Sequence, residues 1–178
     1  MGMADGFQVR IGRREILLGA AATTLAVVAY PSLRQVGSYP PVDRPFTSLS
    51  PKEVAVYRAV GDFLLPPGGP LPGHGGDDVT LAGIDAFFAA LPPHQARVVG
   101  ALPHLIEHGS ALDRYGARCM TALSPERQLE YLTAWATAEL VLEAQLWSAV
   151  KVVFTFGYFD RADVLEAMGV GSMCRGQP

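Results

Sequence analysis

The sequence predicts an all-α protein: a single small bundle of about five helices with a Gly/Pro-rich loop, preceded by a signal segment and an extended linker. Three observations predict it. Apolar residues recur at helical spacing through most of the chain after residue 50, Ser-Pro pairs open two of these stretches, and no run of useful length has the period of two that a half-buried strand requires. With 178 residues, 49% of them hydrophobic, the chain is long enough to bury one core and short for two.

Residues 1–29 read as an export leader. Arg13-Arg14, a polar residue and the apolar Ile16-Leu17-Leu18 precede a run dominated by Ala, Leu and Val, which resembles the signal of the twin-arginine route, with Gly12 where a Ser or Thr is usual. A general secretory signal needs only positive charge there, so the arginine pair is the discriminating feature. The apolar run Ile16–Tyr30 is 15 residues long. That is short of the roughly 20 that span a bilayer core, so cleavage after the small or branched Val27-Val28-Ala29 is expected rather than a membrane anchor. The route exports folded proteins, because a cofactor is inserted before export or because the protein leaves bound to a partner.

Residues 30–48 lack periodicity and are rich in Pro, Ser and polar side chains, and so read as a linker. The helical domain is expected over residues 49–170, with a flexible tail at 171–178. Its first helix opens with Ser50 as N-cap, Pro51 at the first position and Glu53 placed to close a capping box. Val54, Val56, Tyr57, Val60, Phe63 and Leu64 form its apolar stripe, which ends before Pro66-Pro67. The stretch PPGGPLPGHGGDD from Pro66 to Asp78, with five glycines and four prolines, is a loop. It lacks GxxxxGK[ST] and has no preceding strand, which sets aside phosphate binding.

A second helix, capped by Thr80 or a neighbour, carries Leu81, Ile84, Phe87, Phe88 and Leu91 and stops at Pro92-Pro93. A third runs from His94 toward Tyr115 through Pro103. Ser124-Pro125-Glu126 opens what reads as one long helix to about Phe156, nearly continuous in apolar residues from Leu140 and therefore buried on most sides. Asp160 is the expected cap of a short last helix, Arg161 to Met168, closed by Gly169.

Charge narrows the function. The leader holds three basic and two acidic side chains, leaving 11 basic and 15 acidic beyond it, a net of −4. Nucleic acid, which needs a concentrated basic surface, is not an expected partner. Mean hydropathy is slightly positive, which points to apolar surface facing a partner. Cys119 and Cys174, with 54 residues between them, exclude a zinc ribbon and a CxxC redox motif. They pair with each other, bridge to another chain, or stay as thiols.

His104-Leu-Ile-Glu107-His108 has the HxxEH spelling of one zinc-peptidase class, but a third ligand is missing unless Glu139 or Glu143 supplies it. Polar residues on an exposed helix face explain the same letters. His74 in the loop and His94 at a helix start read as solvated or capping. Glu139 and Glu143, four apart, read as a solvated stripe. No GxSxG or GxGxxG occurs, and no cysteine has an evident histidine partner. No catalytic, cofactor-binding or metal-binding residue is therefore assigned. Trp135, Trp147, Phe154, Phe156, Tyr158 and Phe159 divide between core packing and a partner interface, with two or three expected to face the partner.

The leader, the opening LSPKEVAVYRAVGDFLLP, the Gly/Pro-rich loop followed by Ile84-Asp85, the opening LSPERQLEYL and the ending FTFGYFDRADVLEAMGV occur in an order that resembles the gluconate 2-dehydrogenase subunit 3 family, from about Phe46 to Val170. The resemblance implies the small, non-catalytic subunit of an exported dehydrogenase complex. Its large subunit would be of the glucose-methanol-choline type, hold FAD, oxidise a sugar, sugar acid or other alcohol, lack a leader of its own, and pass electrons to a cytochrome c or another acceptor. The small subunit would carry it through the twin-arginine translocase to the periplasm, and the complex or an uncleaved leader would hold it at the membrane. Two rivals remain: a stand-alone periplasmic helical protein that binds an apolar ligand, and a small metalloenzyme built on His104 and His108.

Overall fold

A computed structural model describes residues 37–42, 46–112, 118–138 and 141–170, together with Thr24, Pro31 and Ser32. The leader residues Arg13, Arg14, Ile16, Leu17 and Leu18 and the tail with Cys174 lie outside the described residues. Among the described residues the fold is an all-α bundle of six α-helices and one 3₁₀ turn, without strands.

Helix α1, Pro51–Leu64, begins as the sequence predicts. Ser50 caps it, Pro51 fits the first turn, and Glu53 closes the capping box. Val54, Val56, Tyr57 and Val60 are all within 1% of complete burial, so α1 runs through the bundle interior. The Gly/Pro-rich loop folds back on α1: Gly75 N–H donates to the Leu65 carbonyl at 2.8 Å. A Cβ on Gly61 would sit 2.2 Å from the Gly75 carbonyl oxygen, so only glycine permits this approach.

Helix α2, Asp78–Ala90, is capped by Asp77 rather than Thr80; the Asp77 carboxylate accepts from Thr80 N–H at 2.7 Å. Asp77 also accepts from Arg161 Nη1 at 2.7 Å, which ties the start of α2 to the last helix. Helix α3, Pro93–Leu112, contains Pro103. The 3₁₀ turn is Met120–Ala122.

The expected long helix is two. Helix α4, Pro125–Ala136, ends at the C-cap Thr137, and α5, Val141–Tyr158, sets off at 108° to it. The division follows the change of character along the segment: α4 buries only Tyr131 and Leu132, whereas α5 buries Trp147, Val150, Val153, Phe154, Gly157 and Tyr158. A straight helix would carry one of these two patterns out of contact with the core. The last helix, α6, Ala162–Ala167, starts from Arg161 and not from the expected Asp160 cap, and Gly169 closes it with φ +74°.

Helices α2 and α5 make the most extensive pairing in the bundle. Gly83 and Gly157 face each other there, and a Cβ on Gly83 would stand 2.5 Å from the Gly157 carbonyl oxygen. Tyr57 at the centre meets Phe88 and Phe154 edge to face, with ring centres 6.1 and 6.0 Å apart. Among the described residues no single helix is long and apolar enough to cross a membrane.

Candidate functional site

The first turn of α1 and the middle of α3 bring together the densest group of buried ionisable side chains. Glu53 serves two partners. One carboxylate oxygen accepts from Ser50 N–H at 2.6 Å and Ser50 Oγ–H at 2.8 Å, completing the capping box, and the other lies 3.2 Å from His104 Nε2. One turn along α3, Glu107 is fully buried. It accepts from the Tyr39 hydroxyl at 2.6 Å, the Thr121 hydroxyl at 2.5 Å and Thr121 N–H at 3.1 Å. Beside it, His108 has Lys52 Nζ 2.9 Å from Nε2 and Cys119 Sγ 3.6 Å from Nδ1.

This overturns two readings of the sequence. His104 and Glu107 are not exposed polar residues of a helix face; each is within 1% of complete burial. Cys119 does have a histidine partner, His108, eleven positions earlier. Nor do the histidines converge on one ion, since their Nε2 atoms turn to Glu53 and Lys52 respectively. Among the described residues no group of three or more His, Cys, Asp and Glu side chains is arranged to hold a metal. Glu139 lies outside the described residues, and Glu143 is half-buried in the first turn of α5.

Burial governs the protonation of the cluster. It pulls the Lys52 ammonium below its ordinary value, against the opposing attraction of Glu107, Cys119 and Glu53. Burial and then the Lys52 charge lower His108. Burial and Glu107 raise the Cys119 thiol, and burial together with donation to Glu107 pushes the Tyr39 phenol well above its usual range. A protonated Lys52 is purely a donor, so His108 Nε2 accepts from it and Nδ1 carries the hydrogen toward Cys119. In that tautomer the imidazole offers the thiol no lone pair and cannot act as its general base.

Above the cluster lies a groove of about 660 Å³, lined by Pro40, Pro41, Val42 and Phe46, by Val54, Ala55 and Ala59 of α1, and by the charged Arg58, Asp62 and Asp78. Tyr39 and Thr121, the two donors to Glu107, also line it. No family model, curated protein or solved structure matches this chain. The site therefore rests on its own geometry.

The aromatic residues singled out in the sequence divide cleanly. Trp147, Phe154 and Tyr158 are buried in the core, which removes them from any docking surface. Phe156 is 50% exposed, and Trp135 and Phe159 are half-buried. Phe156 stacks on Phe87 of α2, with ring centres 4.8 Å apart and planes 4° from parallel. With Val79 and the small residues Gly83, Ala86 and Ala90 they line a second recess of about 440 Å³. Val152, one turn before Phe156, is likewise exposed.

His74 bonds Asp62 at 2.6 Å, a structural pairing of the loop with the end of α1, and His94 is solvated. Cys119 carries a free thiol, while Cys174 lies outside the described residues. Sequence reasoning missed Tyr39, Lys52 and Thr121 altogether and read Glu53 only as a cap. The available signal was the charged pair Lys52-Glu53 at the opening of an otherwise apolar helix.

Proposed function

We propose that this chain is a non-catalytic accessory subunit that docks on a larger FAD-containing dehydrogenase of the glucose-methanol-choline type and accompanies it through the twin-arginine route to the periplasm. The observation that carries the reading is the apolar face where α2 meets α5: an exposed Phe156 stacked on half-buried Phe87, flanked by exposed Val79 and Val152, beside a recess floored by small residues. Exposed apolar area of this kind, centred on an aromatic anchor, suits a protein partner. The Arg13-Arg14 leader and the order of sequence features from Phe46 to Val170 add the export route and the class of partner. Catalysis and FAD belong to the partner in this reading, with a cytochrome c as one acceptor, and the substrate is a sugar, sugar acid or other alcohol.

The test is a pull-down of the tagged full chain from its native host, with an absorption spectrum of the co-purifying material. A flavin-containing dehydrogenase of several hundred residues should be recovered. It should be lost on Phe156→Asp, a change that costs about 0.5–1.5 kcal/mol through the stack on Phe87 and leaves the helical circular dichroism signal in place, and be retained in the cytoplasm when Arg13 and Arg14 become lysine. A colourless, partner-free monomer would refute the proposal. That outcome would favour the rival apolar-ligand protein, for which the groove of about 660 Å³ is the specific supporting feature.

A further inference from the structure

We propose that Lys52 and His108 hold one positive charge between them and act as an acid-sensitive lock: a second proton on the pair parts the first turn of α1 from the middle of α3. The contact itself sets the limit. His108 Nε2 stands 2.9 Å from Lys52 Nζ, and this is a hydrogen bond only while one nitrogen donates and the other offers a lone pair. An ammonium facing an imidazolium has a lone pair on neither side. Lys52 is only 2% exposed, so little water is at hand to screen two cations placed together. Its neighbour is reached more easily: His108 is half-buried and can take a proton from solvent while the bundle stays folded.

The groups that face the pair leave the second charge uncompensated. Glu107 of α3 attracts a proton to His108, whereas Lys52 and His104 oppose it. The His104 ring lies nearly parallel to that of His108, with centres 6.5 Å apart. The two carboxylates at hand are already engaged, Glu107 by Tyr39 and Thr121 and Glu53 by Ser50 and His104. On the remaining sides stand Cys119, with Sγ 3.6 Å from His108 Nδ1, and the Tyr39 ring, 5.6 Å from Lys52 Nζ. Burial raises both of these groups above their ordinary values, so neither supplies an anion as the pH falls below 7. Lys52 and Glu53 are consecutive in α1 and reach His108 and His104, one turn apart in α3, so the lock is one of two adjacent clamps between these helices. Acid opens this one by repulsion. The inference is independent of the accessory-subunit reading.

The chain has four histidines, so the imidazole Cε1–H signals of the full chain can be followed one by one in a proton NMR titration, and the signal missing from His108→Gln is that of His108. Its midpoint should fall below about 5.5, one pH unit under the ordinary value of about 6.5. In Lys52→Met, which keeps the stem and removes the charge, the midpoint should move up by about one pH unit or more. Because burial and then Lys52 hold folded His108 below its unfolded value, the stabilisation is complete above about pH 6.5 and drains as the pH falls from there toward the folded midpoint. Urea unfolding should accordingly show the unfolding constant of the wild type rising at least about threefold more than that of His108→Gln between about pH 7.5 and 5. A wild-type midpoint above about 5.5, a midpoint that does not rise in folded Lys52→Met, or the same pH dependence in the wild type and His108→Gln overturns the proposal. Lys52→Gln and His108→Asn replace either variant should it lose its helical circular dichroism signal.

Discussion

Asp85 should be a major carboxylate for stability. It is only 8% exposed, and its oxygens accept three backbone N–H groups and one hydroxyl from residues 47–49. In Asp85→Ala the Leu49 N–H is left in a buried position, at about 1–3 kcal/mol, while the donors of Thr47 and Ser48 are nearer water and lose about 0.5–1.5 kcal/mol each. The expected total is about 2.5–7.5 kcal/mol, a large part of the roughly 5–15 kcal/mol that holds a domain folded. For a chain of this size that lowers the melting temperature by about 5–30 °C.

Burial would raise this carboxyl, but the bonds from Thr47, Leu49 and Ser48 outweigh it and hold the group below the usual carboxylate range. A folded-state value below the unfolded one means the stabilisation is fully present above the unfolded value of about 4, and drains as pH falls through it toward the lower folded value. Urea unfolding followed by circular dichroism, at pH 7 and in steps below pH 5, measures both effects. The wild type should lose stability more steeply with acid than Asp85→Ala. A difference at pH 7 under about 1 kcal/mol, or equal acid slopes, would refute the assignment of residues 47–49 to this carboxylate.

Gly157→Ala places a Cβ 2.4 Å from Ile84 Cγ1 at the α2–α5 crossing and should cost about 1–3 kcal/mol, read as a lower urea midpoint with an unchanged slope. Glu53→Ala removes the carboxylate shared by Ser50 and His104 and leaves buried polar partners unsatisfied, at about 1–3 kcal/mol; Ser50→Ala, which removes only the cap, should cost about 1 kcal/mol in the same denaturation assay.

Local chemistry was legible in the sequence and distant company was not. Ser50, Pro51 and Glu53 announced the start of α1, and Pro66-Pro67 its end, because those signals act within one turn. The 136–141 break was hidden because apolar letters continue across it; what changes is the direction from which the core is reached. Trp147, Val150, Phe154 and Tyr158 recur every three or four residues and so share one face, while Val152 and Phe156 fall on the other, a division visible in the spacing but obscured by treating the aromatics as one set. His104 and Glu107 looked like a solvated face because nothing in α3 itself reveals that the polar first turn of α1 lies against it. The Cys119-His108 contact depends on where the chain returns after α3, which no local rule supplies.

The double attachment of Glu53 changes how the bundle comes apart. A helix cap ordinarily acts locally, and a first turn frays on its own. Here the carboxylate that completes the cap is also held by His104 from the middle of α3. The start of α1 and the centre of α3 therefore form one cooperative unit, and their amides should exchange with solvent at a common rate set by joint opening, with the ends of the more independent α4 exchanging earlier.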